Sequence, residues 1–207
     1  MMGVRSILLV RRHLTPILLA HSLILAGVAH HALADPASGW GLPQLMASMQ
    51  TVHQASGNFV ENKYVQMLKQ PLQSSGRLIY AAPDRLQKQT VSPSPSDLIV
   101  NGDHLTVQQP DGELRYVSLS QYPEIGALIE SIRATLAGDT ATLSRYYEPS
   151  LGGTSNDWLL QLNPRDQRLR KLLTMVRIQG EGTSIRNVET LEPDGDHTEM
   201  TITPDPG

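Results

Sequence analysis

Tight-turn motifs recur along the chain between short runs of β-type residues, and they constrain the fold more than any other feature. Asn101-Gly102, Asp111-Gly112 and Asp194-Gly195 each separate two such runs. Asn-Gly and Asp-Gly pairs supply the positive φ angles that hairpin turns require. Several hairpins in series predict an antiparallel meander.

The spacing of apolar residues adds two or three helices to about eleven strands. Apolar residues at helical spacing predict a first helix over residues 42–52, which Gly57 is expected to end. The clearest stripe, at i, i+3, i+4, i+7 and i+11, covers Ile125–Leu136. Thr140–Tyr147 is predicted as a short helix that runs into a strand.

A sheet of this size must curl or close to hide its edges, and the helices have a natural place over its open face. We therefore predict an α+β fold, a mostly antiparallel half-open β-barrel of about eleven strands with a helical lid. Such a sheet is either a container for a ligand or a frame whose helices complete a filled core.

Composition excludes several classes of function. The 207 residues carry 17 Lys and Arg against 20 Asp and Glu, a net charge of −3, whereas a general nucleic-acid binder presents a basic face. The chain has no cysteine, which excludes disulfide scaffolds, thiolate zinc sites, thiol catalysis and a lipid-modified N-terminal cysteine. Aromatic residues make up only 4%, too few for a base-stacking platform. We expect no nucleic-acid partner.

Residues 1–34 have the pattern of a secretory signal peptide. Three arginines and no acidic residue precede an apolar run that ends in Ala32-Leu33-Ala34, the three parts that such a peptide needs. A membrane anchor is the alternative, but the run contains His21 and is shorter than the roughly 20 residues of a membrane span. We expect cleavage before Asp35, a periplasmic protein, and a single domain over residues 35–207.

Motifs for catalysis or metal binding are weak. The three histidines outside residues 1–34 do not share metal-ligand spacing, and no G-x-S-x-G elbow accompanies Asp103-His104. The Gly-rich segment 152–157 matches neither G-x-G-x-x-G nor a P-loop. The basic residues within 161–171 are either a solvated loop or a docking site for anionic head groups or an acidic partner. We expect no enzyme activity, no metal and no cofactor.

An ordered set of short motifs lies mainly within residues 58–107. The members are Phe59-Val60-Glu61, the segment Pro71 to Tyr80 (PLQSSGRLIY), Ala82-Pro83-Asp84 and Val100-Asn101-Gly102-Asp103. Together with the helix pair and four C-terminal strands that follow, this order resembles the LolA family, periplasmic carriers of outer-membrane lipoproteins. The resemblance implies an incomplete eleven-stranded β-barrel closed by a helical lid, with neither enzyme activity nor cofactor.

The resemblance also implies a site and partners. The protein would be a monomer that binds acyl chains of lipoproteins or other lipids in a hydrophobic cavity. It would take them from an inner-membrane delivery complex to an outer-membrane acceptor. The residues expected to line the cavity and lid are Phe59, Leu78, Tyr80, Leu86, Leu128, Ile129, Ile132 and Leu136. The alternative on the same fold is a non-transporting lipid-sensing or protein-interaction module. An enzyme that acts on a lipid is the third hypothesis.

Two positions depart from the family pattern. Typical members have an arginine just before the proline of the second β-turn, where it ties the lid to the barrel, and this chain has Ala82. The aromatic residues expected after that proline are replaced by Leu86 and Lys88. Arg77 and Arg85 flank the same region, and either is a candidate to hold the lid or to contact a partner.

Overall fold

An eleven-stranded antiparallel sheet makes up most of the protein, as the turn motifs predict. The computed structural model describes residues 39–206, so the predicted signal peptide lies outside the described residues. The strands are β1 (Gln54–Tyr64), β2 (Leu72–Ala81), β3 (Arg85–Ser92), β4 (Ser96–Asn101), β5 (His104–Gln108), β6 (Leu114–Ser118), β7 (Tyr147–Thr154), β8 (Asp157–Pro164), β9 (Met175–Glu181), β10 (Ser184–Leu191) and β11 (His197–Pro204). The helices are α1 (Leu42–Met49), α2 (Pro123–Leu136) and α3 (Thr140–Tyr146).

The strand order leaves the sheet open between β6 and β7. Strands run in the order β6-β5-β4-β3-β2-β1-β11-β10-β9-β8-β7, so the first and last strands of the chain pair at the centre. Helices α2 and α3 connect β6 to β7, and they therefore join the two edges. This is the predicted half-open barrel with a helical cover, and the fold prediction is confirmed.

The three helices share a core with one half of the sheet. Alternate side chains of β8 and β9 are fully buried, as expected where one sheet face packs on helices. The largest buried members of this core are Leu45, Met46, Met49, Leu143, Tyr147, Trp158, Leu160, Leu162, Val176 and Ile178. On the other half, a smaller cluster of Val100, Leu105 and Leu119 packs against Ile129 of α2. The helices are thus fixed mainly to the β7–β9 half.

Two predicted boundaries are wrong, and both errors have a physical reason. The first helix ends at Met49, and Gly57 lies inside β1. At that position a Cβ would lie 2.7 Å from the Thr203 carbonyl oxygen of β11, so Gly57 permits close strand pairing instead of ending a helix. The apolar alternation of residues 172–178 predicts a strand that begins at Leu172, but β9 begins at Met175, because a 3₁₀ turn over residues 169–171 precedes it.

Gly138 ends α2 and brings it against α1, as its φ of +63° permits. A Cβ there would overlap the Met46 carbonyl oxygen, and the Gln50 Nε2 donates to the Gly138 carbonyl at 3.1 Å. The C-terminal end of α2 is therefore anchored. Over residues 39–206, no helix combines the length and the apolar character that crossing a membrane requires.

Candidate functional site

A cavity of about 870 Å³ lies between α2 and the inner face of the sheet. This volume falls within the range of about 300–1,000 Å³ that is usual for small-molecule sites. The strands contribute a mainly apolar wall. Its apolar members include Leu78, Tyr80, Leu86, Leu98, Val100, Ile185, Val188, Met200 and Ile202. Side chains of the described residues therefore leave room for a ligand and do not complete a filled core here.

Helix α2 roofs the cavity with one face and packs on the helical core with the other. The cavity face carries four of the five residues of the predicted stripe, Leu128, Ile129, Ile132 and Leu136, whereas the fifth, Ile125, is exposed and does not line the cavity. The opposite face carries the small residues Ala127, Ser131, Ala134 and Thr135, all of them buried. The Ser131 and Thr135 hydroxyls tolerate burial because they donate to the carbonyls of Leu128 and Ser131 at 2.6 Å.

Seven of the eight residues predicted to line the cavity or lid do border the cavity. The exception is Phe59, which is 2% exposed. It lies opposite Gly76 of β2, two residues from the lining residue Leu78 on the same face. The Lys88 Nζ lies 5.0 Å from the centroid of the Phe59 ring, so Lys88 covers this ring on its inner side.

Lys88 forms an ion pair with Glu61 at the cavity. Its Nζ lies 2.7 Å from both carboxylate oxygens, and the Ser74 Oγ donates to Glu61 Oε1 at 3.2 Å. The two side chains are 28% and 19% exposed. The sequence marks Lys88 as a departure from the family pattern, but it gives no sign of the partner, because Glu61 lies two strands away.

The hydroxyl of Tyr80 is a polar group without a hydrogen-bond partner among the described residues. Tyr80 lies within the cavity wall on β2 and is 3% exposed. Burial raises the pKa of this phenol, an effect that the nearby Arg133 charge partly offsets. A buried hydroxyl of this kind can donate to a carbonyl or phosphate oxygen of a ligand.

Arg133 of α2 ties the roof to the sheet. Its Nη1 donates to the Gly102 carbonyl at 2.8 Å, in the β4–β5 turn, and to the Asp84 carbonyl at 3.4 Å, in the β2–β3 turn. The same guanidinium pairs with Glu130 one turn earlier in α2. In the family pattern the arginine is in the β-turn and reaches the lid. Here the arginine is in the helix, and the turns supply the accepting carbonyls.

Neither of the two arginines proposed from the sequence to hold the lid or to contact a partner bonds to α2 among the described residues. Arg77 bonds to Ser56 and Asp205, near the end of the described chain. Arg85 is exposed, and its Nη2 lies 3.5 Å from the Gln87 Oε1. Closeness to Ala82 in the sequence was not a guide to the residue that holds the lid. Arg77 directly precedes the cavity-lining Leu78 on β2, so its side chain lies on the other face of the strand.

A second tether holds the N-terminal half of α2. The Tyr147 hydroxyl donates to the Ala127 carbonyl at 3.0 Å, and Tyr147 is fully buried. We expect Tyr147→Phe to lower the free energy of unfolding by about 1 kcal/mol, since one buried hydrogen bond is lost. Denaturant unfolding measures this change. Tyr146→Phe, at the partly exposed neighbour, is the control, and equal stability of all three proteins would contradict the tether.

Asp205 ties the segment that follows β11 to β1 and β2 beside the cavity. Its carboxylate accepts from the Ser56 hydroxyl and from Arg77, and these contacts, the hydroxyl first, lower its pKa below the ordinary value of 3.8. A carboxyl with a lowered folded-state pKa stabilises the fold above its unfolded pKa, and this contribution disappears as pH falls through the folded value.

We therefore expect Asp205→Asn to be less stable than the parent at pH 7 and equally stable at pH well below 3.8. Thermal unfolding across this range measures the convergence. A stability difference that stays constant with pH would contradict the assignment.

Of the residues in the weak catalytic and metal motifs, His53 lines the cavity, and the others described next lie outside the cavity wall. The Asp103 carboxylate accepts from the Ser118 hydroxyl, which lowers its pKa. The His197 ring stacks on Tyr64, with centroids 4.4 Å apart. Three carboxylates of the β10–β11 turn lie within 4.8 Å of one another, Glu192, Asp194 and Asp196. The Asp196 Oδ1 accepts from the Gln66 backbone at 3.0 Å, so this cluster helps to shape the turn.

Two arginines of the basic segment 161–171 have structural roles. The Arg165 Nε donates to the Tyr147 carbonyl and the Arg170 Nε to the Pro164 carbonyl, each at 2.8 Å. These bonds hold the connection between β8 and β9. They reduce the number of basic side chains available to an anionic partner.

An open antiparallel sheet with an apolar cavity beneath a helix defines a class of binding protein, a container with a helical roof. This chain belongs to the LolA-like family, since the family model described as "Outer membrane lipoprotein carrier protein LolA-like" matches residues 34–203. The resemblance seen in the sequence is thereby confirmed. No curated protein matches the chain.

Solved structures with a similar fold are distant in sequence. A LolA superfamily protein from Nitrosomonas europaea is 9% identical, with 79% of this chain and 92% of that chain covered and a TM-score of 0.41. A DUF1329 family protein from Desulfovibrio piger is 12% identical, with 78% of this chain and 88% of that chain covered and a TM-score of 0.46. A putative outer membrane lipoprotein-sorting protein domain from Vibrio parahaemolyticus is 10% identical, with 79% of this chain and 90% of that chain covered and a TM-score of 0.41. At these identities the likeness concerns the fold alone.

Proposed function

We propose that this protein is a periplasmic carrier that binds acyl chains of lipoproteins or other lipids in its cavity and takes them towards the outer membrane. The cavity of about 870 Å³, with apolar strand residues as wall and the α2 stripe as roof, is the observation that carries the proposal. Family membership supports a carrier-like or related binding role. The role is binding and release without a chemical step.

The energetics of acyl chains support a need for such a carrier. A chain of about 16 carbons resists transfer into water by on the order of 12 kcal/mol, at about 0.8 kcal/mol per methylene. Unaided passage through an aqueous compartment is therefore slow. A cavity walled by leucine, isoleucine and valine side chains offers the chain an apolar surface, and the protein around it stays in water.

Release requires that the roof open at moderate cost. Between the roof and the β2–β5 half of the sheet, the described polar links are the bonds from Arg133 to two turn carbonyls. The apolar contact of Ile129 with the cluster around Val100 adds to them. Because these contacts are few, a partner that binds the open form more tightly than the closed form can shift the equilibrium between the two. An inner-membrane complex and an outer-membrane acceptor are the proposed partners of a monomeric carrier.

Extraction from vesicles tests the proposal. Vesicles of phosphatidylethanolamine and phosphatidylglycerol, doped with a dansylated triacylated lipopeptide, are incubated with the protein and then sedimented. We expect acylated molecules in the supernatant, up to one lipopeptide or phospholipid per protein, with unchanged masses. A water-soluble dansyl peptide without acyl chains is the control and should not bind.

The other outcomes separate the alternatives. A supernatant without any vesicle lipid or lipopeptide would contradict the carrier and favour the non-transporting module. Lipids of altered mass in the supernatant or vesicles would contradict simple binding and favour an enzyme.

A further inference from the structure

The ion pair of Lys88 and Glu61 interrupts an otherwise apolar part of the cavity. Lys88 pairs across the sheet with Leu78 on one side and Leu98 on the other, and all three line the cavity. Glu61 lies directly opposite Met200, another lining residue. The charges are therefore on the inner face of the sheet, where the apolar wall reaches β1.

The local backbone allows this pair to form. Lys88 is on β3 and Glu61 is on β1, so the lysine side chain must cross β2. On that face β2 presents Gly76 next to Leu78, and Gly76 has no side chain to obstruct the path. The ammonium then lies over the Phe59 ring and contacts both Glu61 oxygens.

A partly buried ion pair generally adds little to the stability of a fold. Two partly desolvated charges recover little more than their desolvation cost, and well-packed apolar residues commonly replace such a pair without loss. Removing only one partner is unfavourable, because the other charge stays without compensation in a cavity of low polarity. Any ligand that reaches this position must therefore leave both charges compensated.

We propose that the cavity selects amphiphiles with a zwitterionic phosphate-and-amine head group, which exchanges partners with the Lys88–Glu61 pair. This inference rests on the proposed function and specifies its ligand class. The ligand phosphate accepts from the Lys88 ammonium, and the ligand ammonium donates to the Glu61 carboxylate. Lys88 and Glu61 then each keep an oppositely charged partner. An anionic head group pairs with Lys88 alone and leaves the Glu61 carboxylate without a counter-charge.

The remainder of the amphiphile follows from the same geometry. With the head group beside Lys88, the acyl chain extends along Leu78 and Leu86 beneath the roof residues Ile132 and Leu136. A neutral glyceride has the same chain but brings no charges. It can bind only by leaving the pair intact, and it gains no charge-assisted hydrogen bonds.

Calorimetric titration with three palmitoyl lipids, each below its micelle concentration, tests the selection. The probes are lysophosphatidylethanolamine (zwitterionic), lysophosphatidylglycerol (anionic) and monopalmitoylglycerol (neutral). We expect the zwitterion to bind the parent at least about tenfold more tightly than either other lipid, as two charge-assisted hydrogen bonds imply.

Two matched double variants assign the preference. Lys88→Met/Glu61→Met removes both charges together, so the sheet should fold, and it should bind the three lipids with nearly equal affinity. Arg177→Met/Glu189→Met removes a comparable cross-strand pair, with a 2.8 Å contact, that does not line the cavity. It should keep the parental preference.

The outcomes distinguish this inference from the proposed function. Equal binding of all three lipids by the parent, or a preference that survives in Lys88→Met/Glu61→Met, overturns the head-group selection and leaves acyl binding in place. Failure of the parent to bind any of the three overturns the proposed function and the selection together.

Discussion

Glutamate at position 132 should reduce acyl-chain binding by at least about a hundredfold while the sheet stays folded. Ile132 lies on the cavity face of α2, among the apolar residues of the roof. A carboxylate there either loses its hydration or draws water into the cavity, and burying an uncompensated charge costs several kcal/mol. Titration with a fluorescent fatty acid measures the affinity, and circular dichroism checks the fold of Ile132→Glu.

The same helix provides a matched control. Ile125 is 43% exposed and does not line the cavity, so Ile125→Glu introduces the same charge on α2 without entering the site. It should bind the probe as the parent does. Parental affinity in a folded Ile132→Glu, or equal losses in both variants, would show that the roof of the cavity does not contact the acyl chain.

Removing the Arg133 link should increase opening of α2 tenfold to a hundredfold. Hydrogen bonds from a guanidinium to carbonyls contribute roughly 1.5–3 kcal/mol, and a two-state equilibrium shifts accordingly. The variant Arg133→Met/Glu130→Met avoids leaving the Glu130 carboxylate without its partner. Hydrogen exchange of the α2 amides and the rate of probe release should both rise.

Three further variants show whether the link has been assigned correctly. Arg77→Met and Arg85→Met should leave exchange in α2 unchanged, since neither side chain bonds to this helix. Ala82→Arg restores the family residue beside the β2–β3 turn and should slow exchange and release. If Arg133→Met/Glu130→Met has parental exchange while Arg77→Met or Arg85→Met is faster, the lid is held from the strands and Arg133 is not the link.

Much of the fold was predictable because its determinants are local. Asn-Gly and Asp-Gly pairs set hairpin geometry within a few residues, and the α2 stripe follows from spacing alone. Gly102, Gly112, Gly138 and Gly195 do adopt positive φ. Four of the five residues of this stripe border the cavity, because a helix that covers a sheet turns its apolar face towards it.

The charged parts of the site were not predictable in the same way. Lys88 of β3 contacts Glu61 of β1 across the intervening strand β2. Arg133 donates to carbonyls in two turns that are 31 and 49 residues away in the chain. Such contacts depend on strand order and register, and a shift of one residue would turn each strand side chain to the other face. Gly57 illustrates the converse error, since a glycine that suits a helix end equally suits a crowded strand.

Native mass spectrometry shows directly whether the cavity holds an acyl chain. The parent and Ile132→Glu are exported to a bacterial periplasm, purified without detergent and compared. We predict that the parent carries one non-covalent lipid per protein, removable by organic solvent, and that Ile132→Glu is bare. A parent that has the mass of the bare chain, or a folded Ile132→Glu that carries the same lipid, would show that no acyl chain is bound beneath α2.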